Sequence, residues 1–289
     1  MGIFKGISSI VLSFLMAAGL WTPSSLEIRN VPAKNEGEIR IISFNVRCKD
    51  DLHGSVKTRS QLIVSALSQY APDSFGVQEA TEEWMKILRE NLGDRYSYVG
   101  IPRDDSEDTE YSAVFYLREK YTLLDSGTMW LSETPDIPGS KVESSSLPRI
   151  ATWAVLKSTE TGKIYTHINT HLDHILEGAR AEQAAILTKK IIDLKKLGAV
   201  VCTGDFNTKE GNNAYNKMVQ SLSDAKYLAK ESDKGQTFHN YGRNIFDRKP
   251  IDFIFVSNDI KVSRYKIIDE QIEGMYLSDH SGLCVDITI

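Results

Sequence analysis

Residues 199–208, Ala-Val-Val-Cys-Thr-Gly-Asp-Phe-Asn-Thr, end an apolar run on a glycine and then place two polar side chains at alternate positions. Successive side chains of a strand face opposite ways, so Asp205 and Asn207 project together while Phe206 turns back to the core. Gly204 is expected to let the backbone bend there. A carboxylate beside an amide suits the positioning of a water, a hard metal ion or a phosphoryl oxygen, with an ordinary Asp/Asn turn as the alternative. A second pair is implied further on. Asp252 lies inside the apolar run Ile251–Ser257, where an unpaired carboxylate is costly, and Asp279-His280 supplies a partner. An Asp held against a histidine fixes its tautomer and raises its basicity, giving a general base able to work near neutral pH, unless the pair is only structural.

His167, His171 and His174 stand at spacings that would suit one helix face and zinc. The surrounding Lys-Ile-Tyr-Thr-His-Ile-Asn-Thr-His is instead β-branched and alternating, and residues four apart in a strand are ~13 Å distant. One zinc, with ligand bonds of ~2 Å, does not bridge His167 and His171. His171 then falls at a strand end, pointing where Asp205 points if the strands are neighbours, and His167 reads as a satisfied or surface histidine.

The elements that must carry these groups follow from periodicity. Residues 39–46 form a buried strand ending at Asn45, and 74–78 a second one ending in Gln78-Glu79. Helical spacing runs over 58–70, from 81 to about 92, and from about 178 to 196. Short strands at 96–101, 112–117, 121–131, 150–157 and 163–172 read as hairpins or a meander. Residues 132–147 and 208–249 are mostly loop, and strands at 251–257, 260–268 and 282–289 close the chain. Strands preceding helices with hairpins between them imply an α/β layered architecture.

The 289 residues carry a formal charge of −5 and no run of five Lys/Arg, so no broad electrostatic footprint for duplex nucleic acid is evident. Cys48, Cys202 and Cys284 are far apart and read as buried free thiols. Residues 1–25, with Lys5 their only charge and an apolar core at 10–21, read as a secretory signal peptide, with an uncleaved anchor as the alternative. A polar linker, 26–37, follows. The expected protein is therefore exported, periplasmic or secreted, without stable membrane association after cleavage.

In order along the chain, Asn45, Gln78-Glu79, Asn169-Thr-His171, Gly204-Asp205-Phe-Asn207, Ile251-Asp252-Phe-Ile and Ser278-Asp279-His280 resemble the endonuclease/exonuclease/phosphatase superfamily over residues 38–289. The strings at Leu131-Ser-Glu-Thr-Pro and Pro148-Arg-Ile-Ala-Thr-Trp-Ala, with Asp173 and His174, further resemble a bacterial subgroup near the deadenylase-like members. The resemblance implies a four-layered α/β/β/α sandwich of the deoxyribonuclease I type, with mixed, mainly antiparallel sheets and the site at one edge. It implies a Mg²⁺ (or Mn²⁺) ligand in Glu79 with Asn45 beside it, and a second-ion ligand in Asp279. Asp205 and Asn207 would orient the attacking water, Asp252 would orient His280 as base or charge partner, and His171 would act on a phosphoryl oxygen or the leaving group. Arg149 and Arg180 are candidate phosphate contacts, with a solvated strand edge and a structural ion pair as their respective alternatives. His174 joins them as a candidate substrate contact, as does His239, which would stack with Phe238 on a base or sugar. The implied activity is metal-dependent hydrolysis of a phosphoester by in-line attack of water. A phosphodiesterase or 3'-5' exonuclease acting on RNA or single-stranded nucleic acid is favoured, with a phosphatase of small phosphorylated metabolites and a silent binding module as alternatives; a monomer is expected.

Overall fold

Alternation along the strand Ile39–Asn45 (β1) sets the architecture. Ile41 packs on one face among Val114, Leu156, Val201, Ile254 and Leu283, whereas Ile42 and Phe44 pack on the other against Leu62, Leu67, Trp84 and Leu88. The structure is a computed structural model and describes residues 28, 31–244, 246–272 and 274–289; the expected signal segment, 1–25, lies outside the described residues. After β1 come α1 (Val56–Tyr70), β2 (Ser74–Ala80), α2 (Glu82–Leu92), β3 (Tyr96–Val99), β4 (Tyr111–Leu117), β5 (Tyr121–Trp130), β6 (Ile150–Ser158) and β7 (Ile164–His171). The second half holds α3 (Glu177–Leu194), β8 (Ala199–Asp205), α4 (Asn213–Met218), β9 (Ser223–Asp224), α5 (Ala225–Leu228) and β10 (Glu231–Ser232). It ends with β11 (Asp252–Val256), β12 (Lys261–Ile268), β13 (Gln271–Ile272), β14 (Met275–Tyr276) and β15 (Gly282–Thr288).

Two large sheets result, a seven-stranded one in the order β10-β12-β15-β1-β2-β4-β3 and a six-stranded one in the order β5-β6-β7-β8-β11-β9, beside the small β13-β14 pair. Helices α1 and α2 cover the outer face of the first, α3 and α4 that of the second, and an apolar layer joins the inner faces. This is the α/β/β/α order expected of the chain. Pairing is mainly antiparallel, but β1 runs parallel to β2 and β7 parallel to β8. That detail builds the site. The carboxyl ends of β1, β2, β7 and β8 arrive at one edge, and their antiparallel partners β4, β15, β6 and β11 begin there.

The inter-sheet layer turns polar along one seam. The Gln78 amide donates to Asn169 Oδ1 (2.6 Å), Thr203 Oγ1 donates to the same oxygen (3.0 Å), and Asn169 Nδ2 donates to the carbonyls of Val77 and Ala113. His167, fully buried, is held between Ser74 Oγ (2.8 Å) and Thr203 Oγ1 (2.9 Å), so of the satisfied or surface histidine expected it is the satisfied one. Gly76 is required here, because a Cβ on it would stand 2.5 Å from the Asn169 side chain. The residues expected as linker are tied down: Lys34 pairs with Asp73 (2.6 Å), and the Pro32 and Ala33 carbonyls accept from Arg40 and Arg264. Among the described residues no helix is long and apolar enough to cross a membrane.

Candidate active site

Two site residues sit where the backbone is least relaxed. The register of β2 on β4 jumps between Val77↔Ala113 and Ala80↔Tyr111, and Glu79, inside that bulge, takes φ 58°. A bulge re-aims a side chain, and a left-handed glutamate is retained only where its surroundings over-determine it. The Glu79 carboxylate accepts from Asn45 Nδ2 (3.0 Å) and from the Cys48 amide (3.1 Å). Asn207, just past β8, has φ 48°, a conformation Asn tolerates better than most residues.

Asn45 joins the two sheets. Its Nδ2 also donates to Asp205 Oδ2 (3.0 Å), at the tip of β8. Register pairs Asp205 with His171 on one side and with Asp252 on the other. His280, which precedes β15, meets Asp252 Oδ2 through Nδ1 at 2.9 Å and has Nε2 at 3.8 Å from Asp205 Oδ2. Burial alone would depress the His280 imidazole, but Asp252 and Asp205 outweigh it and lift it to about 10. His280 is thus a held cation at neutral pH, not a base poised near 7. Burial and the like charge of Asp252 raise the Asp205 carboxyl to about 7, against the pull of His280.

His171 shares Asp205 with His280, its Nε2 lying 3.6 Å from Asp205 Oδ2, but has no carboxylate hydrogen-bonded to its other nitrogen. Asn207 Nδ2 donates to its Nε2 (3.0 Å), leaving Nδ1 as the protonated nitrogen, 3.9 Å from Glu110 Oε2 and without a hydrogen bond. Burial, reinforced by Arg149 and Arg103, holds it well below the ordinary histidine value and therefore neutral.

Cys48, Glu79, His171, Asp205, Asn207 and His280 line one cavity of about 570 Å³, together with Arg47, Lys49, Arg103, Glu110, Arg149, His174, Phe238, Asn240 and Asp279. Several of them are carboxylates. Burial would raise the Glu79 carboxyl, but His280, Asn45 and the Cys48 amide outweigh it and keep it below its usual range. Burial raises Glu110 and Asp279, with Glu79 adding to both. The Cys48, Glu79 and Glu110 ligand atoms lie within 4.8 Å of one another, as do those of Asp205, Asp252 and His280. The Cys48 thiol is pushed up to about 12 by burial and by Glu79 and Glu110, so it is not a thiolate ligand at neutral pH. The carboxylate oxygens of Glu79, Glu110 and Asp279 suit a hard divalent ion.

Cations face these carboxylates, Arg47 lying 3.6 Å from Asp279. Arg103 pairs with Glu110 (2.6 Å), and Arg149 donates from Nη2 to His174 Nδ1 (3.1 Å). Asp173 organises this side: its carboxylate accepts from Ser145 and Ser146 of the 132–149 loop and from the Ile175 and Leu176 amides that begin α3.

Asn45, Glu79, Arg149, His171, His174, Asp205, Asn207, Asp252, Asp279 and His280 therefore meet at one edge. Two expected substrate contacts do not. Arg180 is spent on Glu177 (3.0 Å) and the Asp173 carbonyl (3.0 Å), which is its structural alternative. His239 stacks on Tyr276 (4.7 Å) and lines a separate cavity, because alternation along 238–240 sends only Phe238 and Asn240 toward the site. Gly204 is extended, not bent; its role is close approach, since a Cβ would stand 2.3 Å from the Thr170 carbonyl oxygen. Cys202 and Cys284 are buried thiols, but Cys48 is half-buried on the cavity wall. Sequence reasoning missed Glu110 and Arg103; Glu110 immediately precedes the antiparallel partner of β2, a position that always returns to the same edge.

The family model described as Endonuclease/Exonuclease/phosphatase family matches residues 42–280. Among solved structures, an endonuclease/exonuclease/phosphatase from Bacteroides vulgatus is similar at 33% identity, covering 87% of this chain and 99% of that one with a TM-score of 0.82. A mannosyl-6-phosphatase from Bacteroides thetaiotaomicron is similar at 32% identity over 87% and 100% of the two chains, TM-score 0.78. The catalytic domain of human Nocturnin, solved with bound sulfate, shares the fold at 19% identity over 89% and 96%, TM-score 0.71. No curated protein matches the chain in sequence.

Proposed function

The chain belongs to the endonuclease/exonuclease/phosphatase family, and from that premise we propose that it is a metal-dependent phosphatase of small phosphorylated molecules, a sugar phosphate foremost. The observation that carries the phosphoester reading is the meeting of Glu79, Asp205, Asn207 and His280 in one cavity, with Asn45 and Asp252 hydrogen-bonded behind them. Two considerations favour a monoester over the nuclease substrate expected from the sequence. The 32%-identical relative is named as a mannosyl-6-phosphatase, and the cavity's Arg47, Lys49, Arg103 and Arg149 are interleaved with the carboxylates of Glu79, Glu110, Asp205 and Asp279 in a chain of net charge −5, where a nucleic-acid strand calls for an extended basic track.

Glu79, with Asn45 beside it and Asp279 across the cavity, would hold Mg²⁺ or Mn²⁺. Such an ion, when bound, supplies positive charge to the phosphoryl oxygens and orients the ester. The rest falls to the chain's own groups. Asp205, fixed by Asn45 and by the Asn207 amide (2.9 Å), is the carboxylate able to take a proton from a water at neutral pH. His280, held as imidazolium by Asp252, places a positive charge beside the attacked phosphorus. Neutral His171 presents Nδ1–H toward the cavity, where it stabilises charge on a phosphoryl oxygen or the departing group. Export, resting on the apolar segment within residues 1–25, would place this reaction outside the cytoplasm, and the mature N-terminus of the native protein tests it.

The test is hydrolysis of mannose 6-phosphate and glucose 6-phosphate alongside a dinucleotide and a single-stranded oligonucleotide, with Mg²⁺, with Mn²⁺ and with chelator. The expected result is release of phosphate from the sugar esters, abolished by chelator. Cleavage of the oligonucleotide alone would restore the nuclease reading.

A further inference from the structure

Arg149 carries a charge that the fold does not use. Its residue is 3% exposed, and a buried guanidinium is ordinarily matched by a carboxylate because an unpaired buried charge is costly. Among the described residues, the carboxylates around it have other partners. Glu110 is taken by Arg103, Asp173 by Ser145, Ser146 and the start of α3, and Asp205 by Asn45 and Asn207. What Arg149 has instead is one neutral acceptor, His174 Nδ1, while its Nε has no hydrogen-bond partner. Burial and the neighbouring Arg103 hold the guanidinium below its ordinary value, as expected of a cation kept without its anion.

Its position says which kind of anion it can meet. Arg149 immediately precedes β6, which pairs with β7 beside His171, and it lines the cavity that holds Asp205 and His280. A guanidinium presents a planar fork that donates to two oxygens of one phosphoryl group. A phosphomonoester carries close to two negative charges at neutral pH, with a second pKa of about 6, whereas a diester carries one and has a substituent where the extra oxygen would sit. We propose that Arg149 is a specificity-determining residue that seats the terminal, dianionic phosphoryl group of a monoester and so selects monoesters over diesters. This rests on the phosphoester reading above.

The test uses the full chain with inorganic phosphate as probe, in chelator, comparing wild type with Arg149→Met and Arg149→Lys by thermal melting and calorimetry. Phosphate is expected to raise the wild-type Tm, and Arg149→Met to bind it at least tenfold more weakly. Without phosphate, Arg149→Met should melt at or above the wild type, since the uncompensated charge is gone. With Mn²⁺, kcat/KM for an aryl monoester should fall at least a hundredfold and that for the matching diester less than tenfold. If Arg149→Met does not fold, Arg149→Lys decides: it keeps the charge and loses the fork, so monoester KM should rise about tenfold with diester KM unchanged. Phosphate affinity indifferent to residue 149, or equal losses for both esters, would overturn the proposal. The two readings fail separately, because a wild type that hydrolyses no phosphoester sinks the hydrolase reading whatever residue 149 does to phosphate affinity.

Discussion

Two buried histidines of the same sandwich differ in charge, one neutral and one cationic, and the difference lies in which stretch of the inter-sheet seam each occupies. His167 lies mid-strand, in a layer where Ser74, Thr203, Asn169 and Gln78 satisfy one another, and burial pushes it down to about 3. His280 lies at the strand-end edge, where burial acts in the same direction but Asp252 and Asp205 overcome it. The middle of the seam is neutral and closed. Its end gathers five carboxylates, Glu79, Glu110, Asp205, Asp252 and Asp279, around one imidazolium and an unpaired guanidinium. Burial alone does not mark a site; buried charge left open to a cavity does.

The largest effect expected from breaking this contrast is at the charged end. His280→Ala should lower kcat for the preferred ester on the order of 10³-fold, the range for losing a positioned acid, base or charge partner. It should also lower Tm, since Asp252 keeps its burial and loses its partner. A variant with kcat within tenfold of wild type would remove His280 from the chemistry.

Substitutions in the middle should do the reverse, costing stability and sparing turnover. Gly76→Ala drives a Cβ into the Asn169 side chain and should cost about 3 kcal/mol by denaturant melting, the upper end for overpacking. An unchanged melt would mean the two sheets separate more easily than their packing implies. His167→Leu leaves Ser74 and Thr203 short of a partner and should cost about 1–3 kcal/mol, with kcat changed less than tenfold.

The last effect is a slope. His167 binds its proton near 6.5 when unfolded but only near 3 when folded, so its stabilisation is complete above about 6.5 and is lost as pH falls toward 3. The difference in stability between wild type and His167→Gln should therefore shrink by about 1.4 kcal/mol per pH unit across that window, the effect of one proton. A pH-independent difference would mean that His167 is charged in the fold.

Much of this was legible in the sequence because polar residues that end apolar runs have few places to go. Asn45, Glu79, His171 and Asp205 each close a strand-like stretch, Asp252 interrupts one, and the parallel pairs β1/β2 and β7/β8 bring their ends together. Loops gave no such signal. Arg103, Glu110, Arg47 and Lys49 look like surface charge until β4 and β1 deliver them to the cavity. Arg180 misled because a charged residue near a helix start serves a local carbonyl as readily as a ligand, and His239 because a one-residue alternation in a loop sets its side and composition does not. The bulge that turns Glu79 inward is a register event that only strand pairing reveals.

Asp205→Asn, measured for kcat on the preferred ester and for Tm in the same buffer, tests the account most directly. Burial and Asp252 make the Asp205 carboxylate a strained charge, so removing it should leave Tm equal or higher while kcat falls on the order of 10³-fold. A variant that loses stability and keeps its activity would place Asp205 with the structural middle of the seam and contradict the assignment of the strand-end edge as the active site.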